Sequence, residues 1–134
     1  MEVLRSEALP IRSAQDLVLV RQAVRTWTAE LKFSLVEQTK MVTAASELAR
    51  NTLDYGKGGQ VILQLVQQGI RRGLRLSFED NGPGIPDVEL ALRDGYTSGG
   101  GMGLGLGGAR RLVNDFEIVT KVGEGTRVTV TRWK

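Results

Sequence analysis

Residues 95–112, GYTSGGGMGLGLGGARRL, hold eight of the chain's 17 glycines. Gly103, Gly105 and Gly108 among them satisfy G-x-G-x-x-G at the predicted start of a helix. Glu124 follows at about the distance of a ribose-binding acid. Context defeats that dinucleotide reading. The fingerprint should follow a buried strand, but RDGYTSGG (93–100) is polar and glycine-rich, and Glu124 falls in a hairpin turn. No G-x-x-x-x-G-K-[ST] occurs, so a Walker A loop is absent. A plain surface loop accounts for SGGG but not for the next residues, where glycine alternates with Met102, Leu104 and Leu106. Such alternation suits a backbone that approaches a ligand closely while its side chains stay buried. Free N–H groups at a helix start hold phosphate oxygens. The identity of that ligand has to come from the rest of the chain.

Composition narrows the choice. A chain of 134 residues, 41% hydrophobic and 25% charged, reads as one soluble globular domain. It has no cysteine and no histidine, which excludes disulfides, thiol catalysis, thiolate and imidazole metal sites, histidine-based triads and an internal phosphohistidine. The net charge is +3, the basic residues are scattered and aromatics are 5%, so nucleic acid is not an expected partner. MEVLRSEALP has no apolar signal region and no apolar run is long enough to cross a bilayer. The reading is therefore cytoplasmic, with no membrane partner.

Periodicity places the elements. Residues 3–9 read as an edge strand ended by Pro10. A helix follows from Ser13, a candidate N-cap, with Leu17, Val20, Val24, Trp27 and Leu31 at three- and four-residue steps. A second helix is predicted from Leu35 to Asp54. Met41, Val42, Ala45, Leu48, Ala49 and Leu53 form its apolar stripe, Glu47 and Asn51 stack one turn apart on the opposite side, and YGKGG breaks it. Strands are predicted over Gln60–Gln67 and Gly73–Glu79, joined by QGIRRG, then near Phe116–Val122 and Thr126–Trp133 around a GEG turn. A short helix over 87–93 and a longer one over about Leu104–Asn114 complete the set. The expected fold is α+β: a two-layer α/β sandwich with a mixed sheet covered on one face by three main helices.

Four places carry chemistry. Leu74, Leu76, Phe78 and Asp80 share one face of a strand, so a carboxylate continues an inward apolar row. With Gly82 and Gly84 it forms D-x-G-x-G, which suits either a carboxylate that reads the exocyclic amine of a flat base or one that caps its own turn. Asn51 offers a neutral oxygen of the kind Mg²⁺ accepts beside waters and phosphates, and Glu47 can take a proton from an attacking hydroxyl. Taken singly, both also fit a solvated helix face. In GEGTRV, Thr126 could hydrogen-bond a nucleobase or merely begin a strand after a tight turn.

In this order and spacing, E-x-x-x-N on a helix, D-x-G-x-G, G-x-G-x-G opening a helix and a late G-T resemble the GHKL ATPase superfamily, whose fold is the Bergerat ATP-binding fold. The resemblance implies ATP and Mg²⁺ as cofactors, Asn51 as metal ligand and Asp80 as receiver of the adenine amine, with Gly82 and Gly84 beside the base. It further implies that Gly101, Gly103, Leu104 and Gly105 wrap the phosphates beneath a lid of residues 94–100, and that Thr126 supports the adenine end. Histidine kinases of the superfamily modify an imidazole, which needs no general base. A glutamate at position 47 therefore implies a hydroxyl acceptor and a catalytic base, Glu47. Arg110 and Arg111 read as solvated.

SELARN, EDNGPGIPD and SGGGMGLGLGGARRL are most similar to the switch protein serine/threonine kinases of the anti-sigma regulatory factor family. That resemblance implies phosphorylation of STAS-domain antagonist and scaffold proteins of the stressosome, and activation of a partner phosphatase. The rival readings are a sigma-binding anti-sigma kinase and a nucleotide-gated binding module with little transfer activity.

Overall fold

The computed structural model describes residues 1–93, 97–98, 102–103 and 105–134. In chain order the elements are β1 (Glu2–Ile11), α1 (Ala14–Glu30), α2 (Leu35–Asp54), β2 (Gly59–Gln68), β3 (Arg71–Asp80), α3 (Val88–Ala91), β4 (Thr97–Ser98), β5 (Met102–Gly103), α4 (Leu106–Arg111), β6 (Asp115–Lys121) and β7 (Gly125–Trp133). Pro10 does not end β1. It pairs opposite Gln60 on an edge strand, where a missing N–H is tolerated. The last helix is shorter than its periodicity predicted, since Leu112 already caps it.

Five strands form one sheet in the order β1-β2-β3-β7-β6, with β4 and β5 paired separately. The expected mixed sheet is corrected here, because every described pairing is antiparallel. Connectivity gives the reason. Two helices, not one, lie between β1 and β2, and a helical hairpin returns the chain in the reverse sense. Strands β3 and β6 do run the same way across a helical connection, but β7 inserts between them.

The helices cover one sheet face. Leu17, Val20, Val24 and Trp27 of α1 and Met41, Ala45, Leu48 and Ala49 of α2 bury against Val61, Leu63, Leu74, Leu76, Phe78, Val128 and Val130 of the central strands. The opposite face carries polar cross-strand pairs, such as Gln60 Nε2 donating to Glu79 Oε1 at 2.8 Å and Arg75 Nε to Gln64 Oε1 at 2.9 Å. A two-layer sandwich results, as the period-two strands and 3.6-period helices predict.

Both long helices begin on side-chain caps. Ser13 Oγ accepts the Asp16 N–H, and Ser34 and Glu37 exchange hydrogen bonds in a capping box. The Ser34 backbone N–H holds the Glu37 carboxyl below its ordinary 4.5, against a smaller rise from burial, with the Ser34 hydroxyl, Arg132 and Lys134 adding to the lowering. A depressed carboxyl stabilises the fold above its unfolded value, and that stability is lost as pH falls through the folded value. Glu37→Gln is therefore expected to lose about 0.5–1 kcal/mol in urea unfolding at pH 7 and to converge with the wild type in acid. A difference that persists below the carboxylate range would show that charge is not the cause.

Candidate functional site

Asp80 ends the inward row of β3, paired in register with Gly59 of β2 and Thr126 of β7. Its Oδ1 accepts the Gly82 N–H at 2.8 Å, so the carboxylate does cap its own turn. It is nevertheless held inward. The backbone of Gly56 lies flat against it, and a Cβ at Gly56 would fall on the carboxyl group itself. A Cβ at Gly82 would stand 2.8 Å from Gly56 Cα and 3.1 Å from Asp80 Oδ1. Burial pushes the Asp80 carboxyl up from its ordinary range, while the backbone N–H groups of Gly82 and Thr126 draw it down. Gly84 takes φ +76 against the Lys121 carbonyl, and Tyr55 Oη donates to the Gly84 carbonyl at 3.0 Å, tying the loop to the end of α2.

Helix α2 brings Asn51 to the same place. Asn51, Asp80, Thr126, Phe78, Ile85 and Leu106 line a cavity of about 20 Å³, room for roughly one water. Among the described residues, the Asn51 Nδ2 buried there has no hydrogen-bond partner. The helical wheel set Asn51 opposite the apolar stripe, yet it is half-buried. The end of β3 and the start of α4 close over that side of α2, and Ala44 and Thr52 are buried as well. Glu47, one turn earlier, is exposed. Its carboxylate lies against Gly105, where a built Cβ would come 2.5 Å from Oε2. Gly105 adopts φ +65 and caps α4 with no side-chain bond. A side chain there would be strained and would displace Glu47.

The described part of the glycine segment is therefore placed beside Glu47. Gly103 lies in β5, paired with Thr97, while Gly101, Leu104 and most of the 94–100 lid lie outside the described residues. Arg110 and Arg111 are exposed, as expected, beside Arg93 and Glu89. The Asp80–Thr126 corner opens onto a groove of about 690 Å³ that is also lined by Gly59, Thr120, Lys121 and Arg127.

Sequence reasoning missed Gly56, Tyr55 and Thr120. The signal for Thr120 was available, since Phe116, Ile118 and Thr120 alternate inward and a polar residue ends the row, as Asp80 ends that of β3. From sequence alone, YGKGG signals only a helix break.

Asn51 also has the chemistry of a metal ligand. An amide's oxygen and nitrogen are set by their partners, and the buried end of this one has none among the described residues, so its oxygen can be turned into the cavity. No group of three or more acidic side chains able to hold a metal occurs among the described residues. A hard cation held here would take its remaining ligands from phosphate and water, as Mg²⁺ does. The residues fit a metal that arrives with a nucleotide.

Residues 36–134 match the family described as histidine kinase-, DNA gyrase B-, and HSP90-like ATPase. The chain belongs to this family. This GHKL domain is 40% identical over 123 residues, 92% of each chain, to the Serine/threonine-protein kinase RsbT of Bacillus subtilis (strain 168). It is 26% identical over 126 residues to an Anti-sigma F factor of Clostridium kluyveri, covering 91% of this chain and 89% of that one. Among solved structures it resembles the RsbU and RsbW domains of a Mycobacterium tuberculosis protein, with a TM-score of 0.64 and 21% identity. The match covers 97% of this chain but spans only 33% of that one. The SiaB–SiaC complex of Pseudomonas aeruginosa matches with a TM-score of 0.56 and 11% identity, covering 98% of this chain and 91% of that one. These structures speak for the fold alone. The expectations of a GHKL two-layer sandwich and of an ATP-using protein serine/threonine kinase are borne out by the family match and the likeness to RsbT. Among the described residues no helix is long and apolar enough to cross a membrane.

Proposed function

We propose that this GHKL domain transfers the γ-phosphoryl group of Mg²⁺-bound ATP to a serine or threonine of a STAS-domain protein. In this reading it works in the cytoplasm as a switch that also engages a partner phosphatase. One observation carries the assignment: α2 stacks Glu47 over Asn51, so that one turn faces Gly105 and the next faces the Asp80 cavity. A nucleotide whose base lies at Asp80 and whose phosphates run toward Gly105 would pass both side chains.

Bound Mg²⁺–ATP supplies the phosphoryl group and neutralises its charge. Asp80 accepts the adenine amine beside Gly82 and Gly84, and Thr126 supports it from the neighbouring strand. Asn51 would supply its amide oxygen as the protein ligand of the Mg²⁺. Gly101, Gly103 and Gly105 would offer the phosphates backbone N–H groups with no Cβ in the way, with Leu104 lending its backbone between them. The acceptor hydroxyl forms the new P–O bond as the bond to ADP breaks, and its proton passes to the Glu47 carboxylate. The identity to RsbT, 40% against 26% to the anti-sigma F factor, favours the switch kinase over a sigma-binding one.

The test is transfer of label from γ-labelled ATP and Mg²⁺ to a purified STAS-domain protein. Label on serine or threonine, abolished by chelation of the metal, is the expected result. ATP binding without any transfer would overturn the kinase reading in favour of a nucleotide-gated binding module.

A further inference from the structure

Thr120, near the end of β6, has an oxygen with three neighbours. Its Oγ1 accepts the Ile85 N–H at 2.9 Å, lies 3.2 Å from the Gly125 carbonyl oxygen and lies 2.8 Å from Thr126 Oγ1. A hydroxyl has one hydrogen and two lone pairs. A carbonyl can only accept, so the Gly125 contact requires the Thr120 hydrogen. Both Thr120 lone pairs are then filled only if Ile85 N–H and Thr126 Oγ1–H donate to them. In the reverse arrangement, with Thr120 donating to Thr126, the Gly125 contact is unmade and a lone pair is left empty. Satisfying all three contacts fixes the direction.

The consequence falls on Thr126. Its single hydrogen is committed to Thr120, so toward the cavity that it lines with Asp80 it offers lone pairs. Asp80 pairs directly opposite it in the β3–β7 register, and a carboxylate also only accepts. The two groups flanking the mouth of the cavity therefore both ask for a donor.

We infer that Thr120 is a specificity-determining positioning residue. By orienting the Thr126 hydroxyl, it makes the base pocket accept a purine that presents a 6-amino group and reject one that presents a 6-oxo group. Thr120 does not touch the base; it acts through Thr126. The inference rests on the reading of Asp80 and Thr126 as the base end of the site. An oxo group facing two acceptors leaves buried polar atoms unpaired, and this is the situation in which discrimination by hydrogen bonding is largest.

The experiment titrates the protein with Mg²⁺–ATP and with Mg²⁺–inosine triphosphate, which carries a 6-oxo group where ATP carries the amine. The wild type is expected to prefer ATP by on the order of 100-fold. Thr120→Val keeps the shape and removes the hydroxyl. It is expected to reduce that preference about tenfold, while Thr120→Ser restores it. A role confined to holding Ile85 in place would weaken both nucleotides equally and leave the ratio unchanged. In a Thr126→Val background, Thr120→Val should not change the ratio further, because its effect is relayed through Thr126.

A folded Thr120→Val protein that keeps the wild-type ratio overturns the inference while leaving the ATP site intact. Failure of the wild type to bind ATP overturns the site reading and this inference with it. If Thr120→Val does not fold, Thr126→Val alone must reduce the preference by the same factor of about ten. Its retention there would be equally decisive against the inference.

Discussion

Glu47→Ala is expected to slow phosphate transfer to a protein hydroxyl by roughly 100- to 10,000-fold while ATP affinity stays within about threefold of the wild type. The expectation follows from where the side chain stands. Glu47 is exposed, and among the described residues it makes no hydrogen bond or ion pair; its carboxylate only packs against Gly105. Its removal leaves no buried group unpaired, and substitutions of that kind usually change stability by no more than about 0.5 kcal/mol. A large kinetic loss without a loss of fold or of nucleotide binding therefore isolates a role in transfer itself. Glu47→Gln sharpens the point, since it keeps the size and most of the shape but cannot take the proton. Single-turnover transfer, ATP titration and urea unfolding on the three proteins provide the measurement. A glutamine variant as fast as the wild type would mean that Glu47 is not the base. A parallel loss of ATP affinity would instead place Glu47 in ground-state binding.

The architecture was largely legible because its signals are local. The stripe from Met41 to Leu53 and the YGKGG break marked α2 over Leu35–Asp54, as observed. Asp80 stood out because it interrupts a row that Leu74, Leu76 and Phe78 had made apolar. Three features depend on what packs against what, and a single sequence hides that. Strand direction followed from the number of helices between β1 and β2 and from the insertion of β7, neither of which periodicity reports. The depth of Asn51 followed from α4 and β3 closing over a face that a helical wheel shows as polar. The need for glycine at position 56 followed from a carboxylate 24 residues later lying on its Cα. Glu47, Asn51 and Asp80 could be nominated by chemistry, but only the fold shows Asn51 and Asp80 sharing one cavity and Glu47 meeting Gly105.

Asp80→Asn is expected to weaken ATP binding roughly 10- to 100-fold, the size of a lost charge-assisted hydrogen bond, without loosening the fold at pH 7. Asparagine can still accept the Gly82 N–H through Oδ1, so the turn that Asp80 caps should survive. What changes is the other end of the group, where an amide donor replaces an acceptor opposite Thr126 and would face the amine of the base. Stability should move the other way from affinity. Burial raises the Asp80 carboxyl above its ordinary 3.8, against the Gly82 and Thr126 N–H groups. A carboxyl raised on folding binds its proton more tightly when folded. Keeping it charged therefore disfavours the folded state above the raised value, and that penalty disappears as pH falls through it. The neutral variant should accordingly unfold at equal or higher temperature than the wild type at pH 7, with the difference shrinking in acid. Over the same range, ATP binding by the wild type should weaken as the carboxylate is protonated, and the already impaired variant should show no such titration. Thermal unfolding and ATP titration across that pH range distinguish the alternatives. A variant that loses stability and affinity together would make Asp80 a structural cap, whereas one that keeps both its affinity and its purine preference would remove Asp80 from the base site.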